Sequence, residues 1–376
     1  MAFDLTRVRE ELPSARATVF LNAGTFGPMP HVAAEAMRAH VDRSFERGRI
    51  GNVGIANWLG LIDRARAAFA RTISSHPDEV ALTHCTTDGC NLVVWGLPFG
   101  AGDEVVTTTH EHPGLTAPLE ELARTRGVVV RAVEPTLEAI VEATGPRTKL
   151  VALSHVLWTN GDVLPVAAIA EAVRAKASEG VFFLVDGAQS VGAIDVDLRA
   201  LGVDAYTISG QKWLCGPSGT GALWVRPSAL ARLGTPWPSY FSKQRHPSLA
   251  EWTTARRLDA TTVGMTSLAG IIAALDWHRD VWKNGGLEHS VRLAARLRAR
   301  LEATPGVRLV PASTPSQLVS FVVEGESAGS VVERLEARDI LVRSIGDLDC
   351  VRASVGFWND DDDLEKLVAA VTPGTA

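Results

Sequence analysis

Short apolar runs alternate with longer segments of helical periodicity over most of the chain. A continuous apolar stretch of about four to eight residues between polar or glycine-rich turns is typical of a strand buried on both faces. Such runs lie at 79–83, 105–108, 128–133, 149–155, 181–185 and 205–208, and the clearest helical segments lie at 32–47 and 58–73. Because strands that alternate with helices form mostly parallel sheets through right-handed crossovers, the pattern predicts an α/β fold.

The alternation resumes towards the C-terminus. The predicted elements are helices at 268–282, 287–301 and 330–337 and strands at 307–310, 318–323 and 340–343. A chain of 376 residues is long enough for two cores. We therefore predict a large domain over residues 20–255, with a mostly parallel central sheet flanked by helices, and a smaller C-terminal α/β domain over residues 256–376. Residues 1–19 are expected to pack with the smaller domain.

Composition and charge narrow the class of protein. The chain carries 37 basic and 43 acidic residues without a basic cluster, so nothing marks a surface for nucleic acid or anionic membranes. Its first residues lack the cationic segment and apolar core of a signal peptide, and no apolar run reaches the length of a membrane span. We expect a soluble, cytoplasmic protein whose partners are small metabolites.

The cysteines and histidines do not form a recognisable metal site. Cys85, Cys90, Cys215 and Cys350 show no paired CxxC spacing, which argues against a zinc site and against a disulfide framework. The segment His-Glu-His at 110–112 offers half of a metal site, but no further ligand cluster accompanies it. We therefore expect reduced thiols and no metal.

Two of the predicted strands deliver an acid and an amine to one edge of the sheet. The run at 181–185 ends in Asp186, and the run at 205–208 is followed by Ser-Gly-Gln and then Lys212. Because parallel strands end at the same edge, Lys212 is expected beside Asp186. On these two residues alone, a structural ion pair is the simpler interpretation. The glycines around both groups, however, clear the space above them, which a flat bound ligand needs and an ion pair does not.

Three segments of this region resemble a known cofactor site. DGAQSVG at 186–192, SGQKW at 209–213 and GPSGTG at 216–221 resemble the pyridoxal-phosphate (PLP) site of the class V aminotransferase and cysteine desulfurase family. The resemblance implies a fold type I PLP-dependent enzyme, in which Lys212 forms an imine with PLP and Asp186 keeps the pyridine nitrogen protonated. Such a ring accepts electrons from the Cα of an amino acid. Lys212, once released by substrate, would act as a base whose pKa burial lowers.

Two further segments carry the other cofactor contacts. CTTDGCN at 85–91 lies between a predicted strand and a helix, where free backbone N–H groups bind anions, and it resembles the phosphate loop of the family. EHPG at 111–114 resembles the motif whose histidine lies flat on the pyridine ring. The implied contacts are Thr86, Thr87 and the amide of Asp88 at the phosphate, His112 on the ring, Gln189 at the ring hydroxyl, and Ser209 and Gln211 at the phosphate.

The substrate contacts are expected from distant segments. DCVRASVGFWN at 349–359 resembles the family segment that binds the α-carboxylate and points to Arg352, because a guanidinium group is well suited to a carboxylate. Arg343, on an adjacent predicted strand, is its rival. FLNAGTFGPMP at 20–30 resembles the segment that closes over substrate and implies that Asn22 approaches the carboxylate. VLWTNG at 156–161 implies a contact from Asn160 to the ring hydroxyl and the substrate.

A homodimer is implied by the resemblance and by nothing in the composition. RRLDATT at 256–262 resembles the family segment whose threonine binds the phosphate of the neighbouring subunit. By that likeness Thr262 reaches the cofactor phosphate of the second subunit, and the active site is shared.

The length of one loop narrows the reaction. A desulfurase needs a nucleophilic thiol on a mobile loop, whereas only the short segment 346–351 precedes Arg352, so a persulfide role for Cys350 is not expected. LVRSIGDLDCVRAS at 341–354 and SHVLW at 154–158, with Trp158 where desulfurases carry asparagine, resemble cystine C–S lyases and isopenicillin-N-epimerase-like enzymes. We predict a C–S β-lyase that acts on cysteine, cystine or an S-conjugate and gives pyruvate and ammonia.

Other outcomes of the same chemistry stay open. An epimerase needs a second acid–base group on the face opposite Lys212, and the sequence nominates none securely. An aminotransferase needs a second substrate, which the sequence does not exclude, and a desulfurase belongs to the same family. A regulator that had only kept the fold would have lost Lys212 or Asp186, and both are present.

Overall fold

The computed structural model describes residues 3–177, 180–243, 252–260 and 263–372. The helices are α1 (Leu5–Glu11), α2 (Pro13–Ala17), α3 (His31–Arg47), α4 (Gly51–Thr72), α5 (Thr86–Gly96), α6 (Pro113–Arg126), α7 (Leu137–Ala143), α8 (Val166–Lys176), α9 (Pro227–Leu230), α10 (Met265–Lys283), α11 (Gly286–Glu302), α12 (Ala328–Glu336) and α13 (Asp361–Val371). The strands are β1 (Val19–Phe20), β2 (Val80–Thr83), β3 (Glu104–Thr108), β4 (Val129–Val133), β5 (Thr148–Ser154), β6 (Phe182–Asp186), β7 (Ala205–Ser209), β8 (Gly221–Val225), β9 (Val307–Leu309), β10 (Leu318–Val323), β11 (Ile340–Leu341), β12 (Arg343–Ile345) and β13 (Cys350–Ser354).

The larger sheet is mostly parallel, as predicted. Within the described residues it has seven strands in the order β2-β8-β7-β6-β5-β3-β4. Neighbouring strands are parallel from β7 through β6, β5 and β3 to β4, whereas β8 runs antiparallel to both β2 and β7. The α/β class is therefore confirmed.

Both faces of this sheet are covered, which explains the unbroken apolar runs in the sequence. Phe183 and Val185 of β6 belong to one buried cluster, and Phe182 and Leu184 of the same strand belong to another. Successive side chains of a strand point to opposite faces, so a strand between two cores has no position for a polar residue. Each such side chain contributes about 1.5–3 kcal/mol through burial.

Helix α4 is longer than its apolar pattern indicated. It begins at Gly51, whereas the prediction placed its start at residue 58. Residues 51–57 are almost all exposed, so the first two turns carry no buried stripe from which a periodicity could be seen. Along its buried part, α4 packs against α10, which also packs against α3. In the parts of the chain that the structure describes, no helix combines the length and apolar character needed to cross a membrane.

The second sheet is antiparallel, in the order β12-β13-β10-β9. The prediction of a single strand at 340–343 is wrong, because the chain passes from one sheet to another within this segment. Ile340 and Leu341 pair with β1, whereas β12 begins at Arg343 and pairs with β13. Val342, between the two strands, is buried, so the apolar pattern is continuous across the break and cannot reveal it.

The N-terminal segment contacts the C-terminal part of the chain. Val19 and Phe20 pair with Ile340 and Leu341 in a two-stranded parallel sheet. The guanidinium group of Arg9 donates to Asp360 at 2.8 Å and to Asp363 at 3.1 Å. Nothing tests the boundary between the two predicted domains, which stays a prediction.

The register of the large sheet brings distant residues to one edge. Ser154 of β5 pairs with Asp186 of β6, and Asp186 pairs with Thr207 of β7. Parallel strands end on the same side, so polar side chains placed at strand ends converge although they are far apart in sequence.

Candidate active site

Asp186 lies beneath the floor of a cavity at the carboxyl edge of β5, β6 and β7. It is 4% exposed, and its carboxylate accepts hydrogen bonds from the Ala188 amide at 2.9 Å and the Thr207 hydroxyl at 3.3 Å. The next residue, Gly187, packs so closely on the ring of Tyr206 that a Cβ would overlap it. Because glycine allows this approach, the chain can turn directly after Asp186, whose charge acts on Lys212.

Lys212 reaches the same region from the turn after β7 and lines the cavity. Burial lowers its pKa from 10.5 to about 8, and the charges of Arg352 and Arg343 act in the same direction, against the opposing effects of Asp186 and Cys85. In the part of the chain that the structure describes, no salt bridge joins Lys212 to Asp186. The amine is therefore a buried base near the carboxylate rather than half of an ion pair.

The N-terminus of α5 forms a cradle for an anion. Its cap residue, Cys85, makes no side-chain hydrogen bond to the first turn, so the amides of Thr86, Thr87 and Asp88 are open to a ligand. The side chains of Thr86 and Thr87 line the cavity. The carboxylate of Asp88 is held by His84, whose ring lies at 2.7 Å, so Asp88 offers only its amide.

Ser209 and Gln211 line the same cavity as this cradle. The Ser209 hydroxyl donates to Oε1 of Gln211 at 3.1 Å. The side-chain NH₂ group of Gln211 is thereby turned away from Ser209 and can donate to an anion, although it carries no charge.

His112 caps helix α6 and also lines the cavity. Its Nδ1 accepts the Gly114 amide at 3.0 Å, so a neutral ring carries its proton on Nε2. The ring meets Trp158 edge to face, with 5.0 Å between centroids and 82° between planes. Burial, followed by the charge of Lys212, lowers the pKa of His112, which keeps the ring neutral at neutral pH.

Arg352 is a buried cation with no acidic partner among the residues that the structure describes. It is 2% exposed, and its Nη1 donates to the carbonyl oxygen of Trp158 at 2.7 Å. Among the described residues its Nε finds no acceptor, and no carboxylate contributes to its electrostatic environment. Burial and the charge of Arg343 lower its pKa to about 10, so the guanidinium remains charged at neutral pH.

Arg343 and Arg352 occupy directly paired positions on β12 and β13. Like charges in opposed positions of a sheet destabilise it unless an anion lies between them. Gly24 packs against Arg352: a Cβ at residue 24 would lie 2.6 Å from Nη2 of this arginine. The arrangement is that of an anion site whose anion comes from outside the chain.

The cavity has a volume of about 270 Å³. Cations from Lys212, Arg343 and Arg352 line it, and among the described residues its lining contains no carboxylate. The structure thus brings together Thr86, Thr87, His112, Gln189, Ser209, Gln211, Lys212 and Arg352 of the predicted residues, with Asp186 directly below. Thr262 lies outside the described residues.

Two predicted substrate contacts are not brought to the cavity. Asn160 is partly exposed, and its side chain donates to the Pro311 carbonyl at 2.9 Å and accepts from the Asp162 amide at 3.1 Å. Asn22 lines a neighbouring cavity and donates to the Val342 carbonyl at 3.3 Å. Both side chains use their amide groups to fix loops, and neither lines the cavity that contains Lys212.

Gln189 has a supporting contact that the sequence did not reveal. Its amide donates to the Gly24 carbonyl at 2.9 Å, and its oxygen accepts from the Trp213 indole at 2.9 Å. It therefore holds the segment around Gly24 over the site while one N–H remains for a ligand. Thr25 and Trp158 also line the cavity, and sequence reasoning did not nominate them as site residues. The sequence did contain one signal for Trp158, because it stands at a position where desulfurases carry asparagine.

These residues fit a planar ligand that carries a phosphate and an aldehyde. The open amides and hydroxyls suit the phosphate, the carboxylate of Asp186 suits a protonated ring nitrogen, and Lys212 supplies an amine of lowered pKa. The buried charge of Arg352 is left for a second anion. No group of three possible metal ligands is found in the described ranges.

Comparisons with known proteins agree with this arrangement. Residues 22–367 match the family model described as aminotransferase class-V. A probable cysteine desulfurase of Pseudomonas aeruginosa is 31% identical over 363 residues, which cover 91% of this chain and 85% of the relative. An isopenicillin N epimerase of Amycolatopsis lactamdurans is 29% identical, with 96% of each chain covered.

Solved structures of the protein C-DES are similar along almost the whole chain. One is a lysine-to-alanine mutant with glycine covalently linked to the PLP cofactor; it has a TM-score of 0.92 and 30% identity, and it covers 97% of this chain and 99% of that one. The other is described as the cystine C–S lyase C-DES with its reaction product cysteine persulfide. It has a TM-score of 0.91 and 30% identity, and it covers 96% of this chain and 99% of C-DES.

Proposed function

The chain belongs to the aminotransferase class-V family, and from this premise we propose that it is a PLP-dependent C–S β-lyase. Its substrate is cysteine, cystine or an S-conjugate of cysteine, and its products include pyruvate and ammonia. The observation that carries the proposal is that one cavity holds a buried amine of lowered pKa, on Lys212, and a buried guanidinium, on Arg352, that has no carboxylate partner among the described residues.

The cofactor is proposed to be held by side chains from four segments. Its phosphate is bound at the N-terminus of α5 and by Ser209 and Gln211, and its ring nitrogen by Asp186. His112 would contact the cofactor ring, and Gln189 would donate a hydrogen bond to the ring hydroxyl. PLP supplies an electron sink for the electron pair left at Cα when a bond there is broken.

The remaining steps depend on this chain's own residues. Arg352 binds the substrate carboxylate and so orients the Cα–H bond towards Lys212. Lys212 removes the Cα proton, which its lowered pKa permits near neutral pH, and the sulfur substituent leaves from the β-carbon. The neutral ring of His112 also lines the cavity and can donate a hydrogen bond from Nε2.

Elimination is favoured over desulfuration by the position of the candidate thiol. Cys350 is buried in β13, does not line the cavity, and has a pKa raised to about 11, chiefly by burial. The segment before it is a short 3-10 helix, Gly346–Leu348. A thiol that is enclosed and mostly protonated is a poor nucleophile, and this supports elimination over desulfuration.

The opposed arginines favour a substrate with two carboxylates. Arg343 is exposed to the cavity beside Arg352, and a second anionic group on the substrate would relieve the repulsion between them. Cystine has two carboxylates and one scissile C–S bond at each β-carbon, so we propose it as the preferred substrate. The structural similarity to C-DES, a cystine C–S lyase, supports this choice.

Three further properties belong to the same proposal. The enzyme is a homodimer in which Thr262 of each subunit reaches the phosphate in the other. It has a large cofactor domain over residues 20–255 and a small domain over residues 256–376. It works in the reducing cytoplasm, since all four cysteines are free.

Product analysis of the purified holoenzyme tests the reaction. Cystine, cysteine, S-methylcysteine and alanine are each incubated with it, with and without a 2-oxo acid, and the Lys212→Ala variant serves as control. Pyruvate from the sulfur-bearing substrates alone, with none from the control, is the expected result. Alanine as the stoichiometric product of cysteine would instead identify a desulfurase, exchange of the α-hydrogen alone an epimerase, and a new amino acid an aminotransferase.

A further inference from the structure

The large sheet splits between β3 and β5 at the edge that carries the candidate active site. The paired positions of these strands end at Val106 and Val151, although both strands continue for several residues. On its other side, β5 remains paired with β6 as far as Ser154 and Asp186. The end of β5 therefore has one edge without a strand partner, and buried backbone N–H groups need another acceptor.

The carboxyl group of Glu111 fills this gap. One oxygen accepts from the Thr108 hydroxyl at 2.7 Å and from the Ser154 amide at 3.0 Å, and the other accepts from the Ser154 hydroxyl at 2.5 Å. Glu111 is 6% exposed. A single side chain thus joins the end of β3 to the end of β5, in place of the missing backbone hydrogen bonds.

The two strand ends that Glu111 joins lead directly to both sides of the cofactor site. Glu111 precedes His112, so its position restrains the ring that lines the cavity. Ser154 is the register partner of Asp186, and the next residue, His155, donates its amide to the Asp186 carbonyl at 3.0 Å. Movement of Glu111 would therefore change the separation between His112 and Asp186.

Ionisable groups face Glu111 from three elements. Burial raises the pKa of Glu111 to about 7, opposed by the hydrogen bonds from Ser154 and Thr108 and assisted by the charge of Asp186 on β6. Cys90 on α5 lies close enough for Glu111 to contribute to raising its pKa. His112 lies on the same loop as Glu111. The fold thus buries a titratable side chain at a position where burial of a neutral side chain would cost less free energy.

We propose that Glu111 is a positioning residue, which ties the split ends of β3 and β5 together and thereby fixes the His112 ring relative to the Asp186 carboxylate. It touches neither substrate nor cofactor and acts through these two residues. The inference rests on the proposed use of PLP, but it is independent of which substrate the enzyme converts.

Two substitutions separate the effect of the Glu111 hydrogen bonds from the effect of its charge. Glu111→Gln keeps an acceptor for the Ser154 amide and the Thr108 hydroxyl, whereas Glu111→Ala removes all three hydrogen bonds. Glu104→Gln is the matched control, since Glu104 is another buried glutamate, held by Arg131 and Arg147 at the start of β3, whereas Glu111 follows the end of that strand. All variants are studied as PLP-loaded protein.

The first measurement follows the visible absorption of bound PLP against pH, which needs no substrate. For Glu111→Ala, the pH at the midpoint of the absorption change is expected to move by about half a pH unit or more, because His112 and Asp186 are both displaced from the cofactor ring. The second measurement is turnover of whichever substrate proves active. For Glu111→Ala, kcat is expected to fall about tenfold or more, with KM within about threefold, and Glu111→Gln should recover most of kcat.

A purely structural role gives a different result. Glu111→Ala and Glu104→Gln would then both lower the denaturant midpoint, and neither would move the absorption midpoint or kcat, which overturns the proposal. If Glu111→Ala does not fold, Thr108→Val removes one of the same hydrogen bonds, and an unchanged absorption midpoint and kcat in that variant also overturn the proposal. An inactive wild-type protein with a displaced absorption midpoint in Glu111→Ala would refute the proposed reaction and leave this inference supported.

Discussion

Replacing Arg352 by methionine should raise the stability of the enzyme while abolishing its activity. Arg352 is buried, has no carboxylate among its described neighbours, and forms a hydrogen bond to the Trp158 carbonyl. A structural arginine in such a place would normally be paired, because removing a charge from water is costly. The two effects of Arg352→Met therefore have opposite signs, which no packing role predicts.

The size of the stability effect follows from the pKa of Arg352. Burial lowers that pKa from 12.5 to about 10. At about 1.4 kcal/mol for each tenfold change, the fold destabilises the charged guanidinium by about 3 kcal/mol. Loss of the hydrogen bond to Trp158 costs about 1.5 kcal/mol. Arg352→Met should thus raise the free energy of unfolding by about 1–2 kcal/mol.

The effect on activity is larger and opposite. A carboxylate held by a guanidinium through two charged hydrogen bonds gains about 3 kcal/mol or more. Without Arg352, kcat/KM for the α-amino acid substrate should fall at least about 100-fold. Unfolding in urea of substrate-free protein, together with steady-state kinetics, measures both quantities.

Arg66 provides the matched control. It is also a buried arginine, but it is paired with Asp259 through hydrogen bonds of 2.8 and 2.5 Å. Arg66→Met leaves that carboxylate without its partner and should lower the free energy of unfolding by about 3–5 kcal/mol. If Arg352→Met lost stability in the way that Arg66→Met does, or kept its activity, Arg352 would not be the binding site for a substrate anion.

Three other perturbations test separate parts of the site. In the PLP-free protein, the reaction of Lys212 with an acylating reagent should have a midpoint near pH 8, well below that of the exposed Lys366. Because the pKa of Lys212 in the folded state lies below 10.5, the free energy of unfolding should rise with pH between about 8 and 10.5. A reaction midpoint near 10.5 would contradict the burial of the amine. Cys350→Ser should leave pyruvate release from cystine within about twofold of wild type, because its pKa of about 11 leaves little thiolate; loss of turnover would restore the desulfurase interpretation. His112→Asn keeps the cap on the Gly114 amide, so stability should stay within about 0.5 kcal/mol while kcat falls about tenfold or more; equal loss of both would reduce His112 to a capping residue.

The positions of most buried strands of the large sheet and the chemistry at the ends of two of them were accessible from local sequence. An unbroken apolar run ending in a carboxylate, as at residues 182–186, predicts both a buried strand and a polar group at its edge. The same reasoning applies to β7, which ends just before Lys212. These features depend on a few consecutive residues, and burial on both faces leaves a pattern that can be read without the fold.

Boundaries and loops were less accessible. The exposed first turns of α4 have no apolar stripe, and the change of sheet at Val342 interrupts no hydrophobic pattern. Asn160 was assigned from its position in a motif, yet its amide bonds to Pro311, which is 151 residues away. A side chain's direction depends on such partners, and spacing along the chain does not contain them.

By itself, the sequence determined the α/β class, the buried strands and the presence of an acid and an amine at one sheet edge, because each is encoded in contiguous residues. Only the tertiary structure decided that Arg343 opposes Arg352, that Trp158 holds Arg352 across 194 residues, and that Glu111 closes the split sheet. These are contacts between segments brought together by packing. Their energies depend on burial and on the absence of competing partners, which are properties of the folded chain alone.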